Sequence, residues 1–378
     1  MNHIEKRTQA LTLKEWYVGN EKKFAEQHAR GLTPTCSSHP FNIYVEPVNA
    51  CNLACPFCAT TYETRTRTML GLDVFERLIG DLKEKGIYPR ITLTGEGEPF
   101  LNKQAMDMVR IAKEAGFNVW TITNGSMFDR DRLEKLLEYG INRVQFSIDS
   151  VTKEIYDRMR VAKGKHQSYF AKTMGNILYL AKRNYEEGLP IYISISAVQT
   201  KLNAPDARAF ADFWMALPVH NVFLAPLSTL QANTQMEEAK DLFYQGGMAE
   251  KQVCAIPFTT ANVNADGSVN ICSHDFDNVY PVGNVADESF SDLWNNTKSQ
   301  ALRKALLDGE VSEFVAIGHD CQRCNNPVIG YGVGDCVKST QERIQRTVSV
   351  IDGDNWIENG ERRYARLLEL IEEYPILG

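Results

Sequence analysis

Long apolar runs are missing from this sequence of 378 residues, and their absence limits what the chain can be. No stretch of eighteen consecutive apolar residues occurs, so we expect neither a transmembrane helix nor a membrane partner. The first residues are charged and lack an apolar core, which is unlike a secretory signal. Internal repeats and low-complexity segments are missing too, and 43% hydrophobic with 24% charged residues excludes a disordered chain or a collagen-like fibre.

Positively charged residues are also fewer than negatively charged ones. The 41 lysines and arginines face 48 aspartates and glutamates, which gives a net charge of −7. This balance argues against nucleic acid as the main partner. Because no export signal is visible, we expect a cytoplasmic protein.

Cysteine, in contrast, is plentiful, and the nine cysteines are an odd number grouped at short spacings. Disulfides are rare in the reducing cytosol, so such groups indicate metal ligation. The cysteines stand at positions 36, 51, 55, 58, 254, 272, 321, 324 and 336.

The middle of the chain alternates short β-type runs with amphipathic helical runs. Six runs rich in Ile, Val, Phe and Thr, each followed by a helical run, predict parallel βα units. Six units are fewer than the eight of a closed barrel, so the sequence predicts an α/β fold built on an open, partial (β/α)6 barrel. The strand candidates are 41–47, 91–95, 118–123, 144–149, 191–198 and 221–227.

Composition divides the chain into five predicted parts. After the barrel the chain becomes rich in Cys, Gly and Asn, and the pair Asp266-Gly267 predicts the turn of a β-hairpin. The parts are a helical N-terminal extension (1–40), the barrel (41–228), a bridge (229–253), an auxiliary domain (254–337) and a helical tail (338–378).

Cys51, Cys55 and Cys58 follow the first strand directly, at the end of the strand where parallel βα folds place their chemistry. Three thiolates in eight residues can hold one metal centre. A [4Fe–4S] cluster takes four cysteines, so three leave one iron with an open position. From spacing alone, a structural zinc knuckle or three unrelated core cysteines remain alternatives.

Further motifs follow the next three strands: Gly95-Glu96-Gly97-Glu98-Pro99, then Thr123-Asn124-Gly125, then Ser147-Ile148-Asp149-Ser150. With the C-x₃-C-x₂-C loop and Phe57 before its third cysteine, residues 41–228 resemble the radical S-adenosylmethionine (SAM) enzymes. The usual glycine-glutamate motif of that family is G-G-E-P, and Glu96 stands here where its first glycine is common.

The resemblance implies a [4Fe–4S] cluster held by Cys51, Cys55 and Cys58, with SAM chelating the open iron. It implies an electron donor such as flavodoxin or ferredoxin, and a 5′-deoxyadenosyl radical formed by reductive cleavage of SAM. The residues it places around SAM are Phe57, Gly97, Glu98, Asn124, Ser147 and Asp149. Glycine lets a backbone approach a ligand closely, and carboxylates complement ammonium and hydroxyl groups.

A second group of four cysteines lies beyond the barrel. Four thiolates form a closed site, either for zinc or for a fully ligated iron–sulfur cluster. Next to a radical SAM core, the arrangement resembles the auxiliary-cluster domains called SPASM and, in shorter form, twitch. The full SPASM cysteine pattern is missing, so one auxiliary [4Fe–4S] cluster of the twitch type is expected. Its expected ligands are Cys254, Cys272, Cys321 and Cys324.

Two reactions fit this arrangement, and both begin with removal of a hydrogen atom from a carbon that bears a hydroxyl. A dehydrogenase then passes an electron to the auxiliary cluster, and this is our first expectation. An epimerase instead returns hydrogen from a thiol, for which Cys336 is the candidate and Cys36 a weaker one. His274 and Asp275 are candidate bases. The default for Cys336, His274 and Asp275 is a structural role.

The substrate is expected to be a small polyhydroxylated molecule such as a sugar, an aminocyclitol or a nucleoside. Only forty residues precede the barrel, fewer than a separate peptide-recognition domain needs, although peptide modification stays an alternative. A non-enzymatic iron–sulfur or zinc scaffold is the alternative from another class. The stretch Tyr62–Thr68 and the residues Arg158 and Arg160 are expected to be solvated.

Overall fold

A computed structural model gives the structure of the protein. It describes residues 32–36, 39–164, 168–189, 191–226, 253–319, 321, 324 and 360–374. The predicted N-terminal helix and bridge lie outside these residues, as do Cys336 and most of the tail.

Parallel strands alternate with helices through the first half of the chain. The strands are β1 (Asn42–Val45), β2 (Arg90–Leu93), β3 (Val119–Thr123), β4 (Arg143–Ser147), β5 (Tyr192–Gln199) and β6 (Asn221–Pro226). The helices are α1 (Leu72–Glu84), α2 (Ala105–Glu114), α3 (Arg130–Tyr139), α4 (Lys153–Met159), α5 (Phe170–Glu187) and α6 (Ala207–Met215). All six predicted strands are confirmed.

The second half contributes shorter elements. Its strands are β7 (Thr260–Val263), β8 (Ser268–Asn270) and β9 (Gly283–Asn284). Its helices are α7 (Ile256–Thr259), α8 (Phe290–Trp294), α9 (Thr297–Asp308), α10 (Ser312–Ala316) and α11 (Gly360–Glu373). No helix in the described parts of the chain combines the length and the apolar character that crossing a bilayer requires.

All nine strands form one sheet, in the order β6-β5-β4-β3-β2-β1-β7-β8-β9. The first six are parallel neighbours, as the partial barrel requires. Strand β7 joins this sheet beside β1, also in parallel, with Ile43 opposite Ala261. The hairpin β7–β8 turns at Asp266-Gly267 as predicted, with Gly267 at φ 81°. The cysteine-rich half is therefore built onto the edge of the barrel sheet.

Side chains alternate across the barrel strands because successive residues of a strand point to opposite faces. Ile43, Ile91 and Val119 lie on one face and pack against the helices in the main hydrophobic core. The opposite face is polar: Arg143 donates to Ser194 at 2.9 Å, and Gln145 donates to Ser196 at 3.2 Å. The barrel interior is thus lined by groups that hydrogen bond, and it leads to the strand ends where the motifs lie.

Candidate active site

The three-cysteine loop leaves β1 and is fixed by backbone pairing. Ala54 donates its N–H to Val161 at 2.7 Å, and Lys163 donates to Asn52 at 2.9 Å. These bonds join the loop to the segment that follows α4. Since a loop held on both sides loses conformational freedom before any ligand arrives, the cysteines are preorganised.

The thiols of this loop are shielded from water. Burial, followed by the charge of Glu98, raises the pKa of Cys51 to about 11. Burial also raises the pKa of Cys55 and of Cys58, and the three sulfurs act on one another electrostatically. None of the eight described cysteines is in a disulfide. Three converging thiols that are costly to ionise without a cation fit the ligation of a metal centre, which would stabilise the thiolates.

Gly97 lies where no side chain fits. A Cβ there would stand 2.1 Å from the carbonyl oxygen of Val48 and 2.5 Å from that of Ala50, immediately before Cys51. Glu98 continues the contact by donating its N–H to Ala50 at 2.9 Å. The glycine-glutamate motif therefore sets the position of the cysteine loop through backbone contact.

Glu98 is a fully enclosed carboxylate with several donors around it. It accepts hydrogen bonds from the Thr123 hydroxyl at 2.7 Å, the Asn124 N–H at 2.8 Å and the Phe100 N–H at 3.3 Å. Burial raises its pKa to about 7, and these hydrogen bonds oppose the rise. These three donors fix the orientation of the carboxylate, and its contact with an ammonium group stays a prediction.

Asn124 connects the end of β3 to the cysteine loop. Its amide donates to Asn52 at 3.0 Å and lies 3.8 Å from the Cys51 sulfur, while its oxygen accepts from Ser126. Ser147, at the end of β4, is partly exposed and lies 3.5 Å from the Ser196 hydroxyl. The structure thus brings the motif residues of four successive strand ends to one edge of the sheet. Their roles toward SAM stay predictions.

The carboxylate of Asp149 forms its contacts with other groups of the protein. Its carboxylate, with no exposed side-chain surface, pairs with Arg160 at 2.5 Å and accepts from the Val198 N–H at 2.8 Å. The Arg160 guanidinium lies 5.4 Å above the Phe57 ring, within the range of a cation–π contact. The expectation that Arg160 is solvated is wrong, because only 11% of its side chain is exposed. Arg158 is exposed as expected.

The sequence did not predict a second cluster of buried charges, which surrounds Glu46. Arg65 donates to both oxygens of Glu46 at 3.0 and 2.8 Å, and Glu63 pairs with Arg65 although its side chain has no exposed surface. The expectation of a solvated Tyr62–Thr68 stretch is therefore wrong for these residues. Glu46 also accepts from the N–H groups of Glu96 and Ala265 at 2.8 and 2.9 Å. It ties β1, the glycine-glutamate motif and the hairpin turn together.

The four cysteines of the second group gather as predicted. Cys254 is acted on electrostatically by Cys272, Cys324 and Cys321, and burial raises its pKa well above the usual value. A [4Fe–4S] cluster attaches its cysteines to different iron atoms. This donor set of four neighbouring thiols fits a fully ligated cluster.

His319 lies beside the same group, and no sequence pattern predicts it there. It is 6% exposed, acts electrostatically on Cys272 and has its Nδ1 3.6 Å from a carboxylate oxygen of Asp275. Burial alone would lower its pKa, but the contacts with Asp275 and Cys272 outweigh burial and raise it to about 10.

The two candidate bases differ in their surroundings. Asp275 is buried, and its carboxylate accepts from the N–H groups of Val279 and Tyr280 at 2.8 and 2.9 Å. His274 is partly exposed, with its Nδ1 3.0 Å from the Ser273 hydroxyl. Burial lowers the pKa of His274 to about 3, so its ring is neutral near pH 7. The catalytic roles of both stay predictions.

Of the two further cysteines, only Cys36 is described. Its backbone N–H donates to Asn295 at 3.0 Å, and its carbonyl accepts from the same side chain at 2.9 Å. This anchors the segment before the barrel to the cysteine-rich half. Cys336 lies outside the described residues.

Comparisons with known proteins agree with this geometry. The model of the radical SAM superfamily matches residues 45–196, and that of the SPASM iron–sulfur cluster-binding domain matches residues 254–325. The chain is 24% identical over 299 residues to the tungsten-containing aldehyde ferredoxin oxidoreductase cofactor-modifying protein of Pyrococcus furiosus, covering 68% of this chain and 81% of that protein. It is 27% identical over 165 residues to PqqA peptide cyclase of Bradyrhizobium diazoefficiens, covering 43% of this chain and 40% of the cyclase.

Two solved structures share the fold. BtrN in complex with AdoMet and 2-DOIA has a TM-score of 0.52 at 21% identity, covering 76% of this chain and 94% of BtrN. Native anSMEcpe with bound AdoMet has a TM-score of 0.56 at 15% identity, covering 83% of this chain and all of that one. The radical SAM domain implies SAM and a [4Fe–4S] cluster, and the SPASM domain implies auxiliary iron–sulfur clusters. The chain therefore contains a radical SAM domain at residues 45–196, followed by a SPASM iron–sulfur cluster-binding domain at residues 254–325.

Proposed function

We propose that this radical SAM enzyme oxidises a secondary alcohol of a small polyhydroxylated substrate, such as a sugar, an aminocyclitol or a nucleoside, to a ketone. The carbinol carbon gives up a hydrogen atom, the hydroxyl gives up a proton, and one electron leaves. When bound and reduced by a donor such as flavodoxin or ferredoxin, the first cluster and SAM supply a 5′-deoxyadenosyl radical that takes the hydrogen atom, and one auxiliary cluster supplies the electron acceptor.

The contact between the two cysteine-bearing loops is the observation that carries this proposal. The backbone N–H and the hydroxyl of Thr64, shortly after Cys58, both donate to Asp277 at 3.0 Å. Asp277 follows shortly after Cys272 in the chain. Since the loops touch, the proposed substrate site lies between them, where it would be reached from both cysteine groups. An electron acceptor at that place is needed for oxidation and is not needed for a redox-neutral reaction.

Binding and orientation fall to the residues at the strand ends. Glu98 complements an ammonium group, and Asn124 and Ser147 offer an amide and a hydroxyl to oxygen atoms of SAM. Arg160, fixed by Asp149, supplies positive charge beside Cys55. Positioning of this kind decides which substrate C–H lies within reach and keeps competing reactions out.

His274 is the proposed proton acceptor. Its neutral imidazole can accept a proton at pH 7, and it lies on the loop that contacts Thr64 through Asp277. Asp275, whose oxygens accept two backbone N–H groups, keeps this loop in shape.

A peptide is the second candidate substrate. Its support is the match to PqqA peptide cyclase, which covers 40% of that protein. Radical formation at a peptide side chain would use the same proposed SAM-binding residues at the strand ends. The two candidate functions therefore differ in the substrate and not in the role of the barrel.

Release of 5′-deoxyadenosine tests the proposal. Anaerobically reconstituted protein with dithionite and SAM is offered polyols, aminocyclitols, nucleosides and short peptides. A polyhydroxylated compound is expected to stimulate release and to yield one ketone per 5′-deoxyadenosine, and the Cys51→Ala variant is expected to release none. Stimulation by peptides alone would overturn the substrate class, and a reconstituted protein that never cleaves SAM would overturn the enzymatic function.

Solvent deuterium separates oxidation from epimerisation. Oxidation places no solvent deuterium on the reacting carbon, whereas an epimerase with a thiol such as Cys336 places one there with inverted configuration. We expect none, and one deuterium with inversion would contradict the proposal. The Cys321→Ala/Cys324→Ala variant gives a second readout, because loss of the acceptor is expected to stop ketone formation while some SAM cleavage continues.

A further inference from the structure

Gln145 lies on the inner face of the barrel, deeper than the motif residues at the strand ends. It stands two residues before Ser147 on β4, so both side chains point to the same face, with their backbones about 6–7 Å apart. Both residues are partly exposed, whereas Ser194, opposite Gln145 on β5, is fully buried. Because this face lines the barrel interior, a molecule bound there can reach the amide of Gln145.

The orientation of this amide is fixed by its two polar neighbours. Arg143 donates to the amide oxygen at 3.2 Å, and since a guanidinium offers only donors, the oxygen has to face it. The amide nitrogen then faces Ser196 and donates to its hydroxyl at 3.2 Å, and that hydroxyl donates to the Phe146 carbonyl at 3.3 Å. A primary amide carries two N–H donors. One N–H of Gln145 is therefore left over, and no group in the described parts of the chain accepts it.

Arg143 is itself held in place. Its guanidinium lies 4.4 Å from the ring centroid of Trp120 and 5.2 Å from that of Tyr192, and it donates to the Ser194 hydroxyl at 2.9 Å. Only 7% of the residue is exposed. Support of this kind keeps the amide of Gln145 from turning over, so it offers a ligand its N–H and not its oxygen.

We propose that Gln145 is a specificity-determining residue whose remaining amide N–H donates to a hydroxyl oxygen of the substrate. A hydroxyl oxygen accepts such a bond, whereas an ammonium carries only donors and cannot. The partly exposed hydroxyl of Ser147 both donates and accepts, so it suits a second hydroxyl nearer the strand ends. This role rests on the proposed function and narrows its substrate class, because an uncharged sugar or nucleoside fits this position better than an aminocyclitol.

Ligand binding tests this role without turnover. Anaerobically reconstituted protein with SAM and no reductant is titrated with pairs of compounds at a pH where the amines are charged, and saturation-transfer NMR gives the affinities. The pairs are glucose with glucosamine, inositol with its monoamino analogue, and uridine with 5′-amino-5′-deoxyuridine. We expect a neutral compound to bind about threefold to tenfold more tightly than its amino partner, the ratio that one hydrogen bond supplies.

Gln145→Glu keeps the shape of the side chain and an oxygen toward Arg143, but it replaces the N–H donors with an acceptor oxygen. We expect this variant to reverse the order, so that the amino compound binds more tightly. Gln104→Glu is the matched control, because it adds the same charge at an exposed position before α2, and we expect the wild-type order. An unreversed order in Gln145→Glu, a wild-type preference for amino compounds or no binding of any compound would overturn the role.

If Gln145→Glu retains no iron, Gln145→Met replaces it, because it keeps the volume and removes both donors. The neutral compound is then expected to bind about threefold to tenfold more weakly, with the amino compound unchanged, and an equal effect on both would overturn the role. Failure of ketone formation would leave these affinities intact, and an unreversed preference would leave ketone formation intact, so the two proposals fail separately.

Discussion

Gly97→Ala is expected to disturb the three-cysteine loop without touching a cysteine. The added methyl group would stand 2.1 Å from the Val48 carbonyl oxygen and 2.5 Å from the Ala50 carbonyl oxygen. Backbone has to move to relieve such overlap, which costs about 1–3 kcal/mol. The hydrogen bond from Glu98 to Ala50 is lost in the movement and adds about 1 kcal/mol. We therefore expect destabilisation of about 2–4 kcal/mol.

Two measurements check this expectation. Denaturant unfolding of the apo-protein gives the free energy of unfolding, and iron analysis after reconstitution reports whether the loop still holds its cluster. Gly80→Ala is the matched control, because Gly80 is exposed on α1 with nothing within 4 Å of the new methyl group. That variant is expected to be stabilised by about 0.5–1 kcal/mol with full iron. A Gly97→Ala protein with wild-type stability and iron would refute the reasoning.

Two further predictions concern buried charge. Arg160→Met leaves Asp149 buried without its partner and is expected to lower the stability of the apo-protein by about 3–5 kcal/mol. The control Lys153→Met breaks an exposed ion pair on a helix and is expected to change the stability by less than about 1 kcal/mol. Equal losses of stability in denaturant titrations of the two variants would contradict this prediction. Burial lowers the pKa of His220 to about 3. Between about pH 6.5 and pH 3 the unfolded chain therefore binds a proton at this histidine and the folded chain does not. In that window the free energy of unfolding is expected to fall by about 1.4 kcal/mol for each unit by which the pH is lowered. His220→Gln should remove this part of the pH dependence, and an unchanged slope would be evidence against it.

The motifs at the strand ends could be predicted because each is formed by residues that are neighbours in the sequence. Each motif follows directly on a short β-type run, and parallel strands bring their carboxyl ends to one edge of a sheet. The turn at Asp266-Gly267 was predictable for the same reason, since the residue pair itself specifies the turn. Short spacings pointed to Cys51, Cys55 and Cys58 and to the pair Cys321 and Cys324, whereas grouping these two with Cys254 and Cys272 rested on the family resemblance.

Other features depend on contacts between distant parts of the chain. Strand β7 pairs with β1 although more than two hundred residues separate them, and no sequence pattern predicts that pairing. Arg160 and Glu63 look like ordinary surface charges until folding places Asp149 and Arg65 beside them. His319 carries no pattern of its own, because its partners Asp275 and Cys272 are defined only by the fold.

The iron and zinc content of anaerobically reconstituted protein tests the central claim most directly. One [4Fe–4S] cluster at each cysteine group predicts about eight irons per chain, falling to about four in the Cys51→Ala/Cys55→Ala/Cys58→Ala variant. Four irons with one zinc in the wild type, unchanged irons in the variant, or no iron at all would contradict the account.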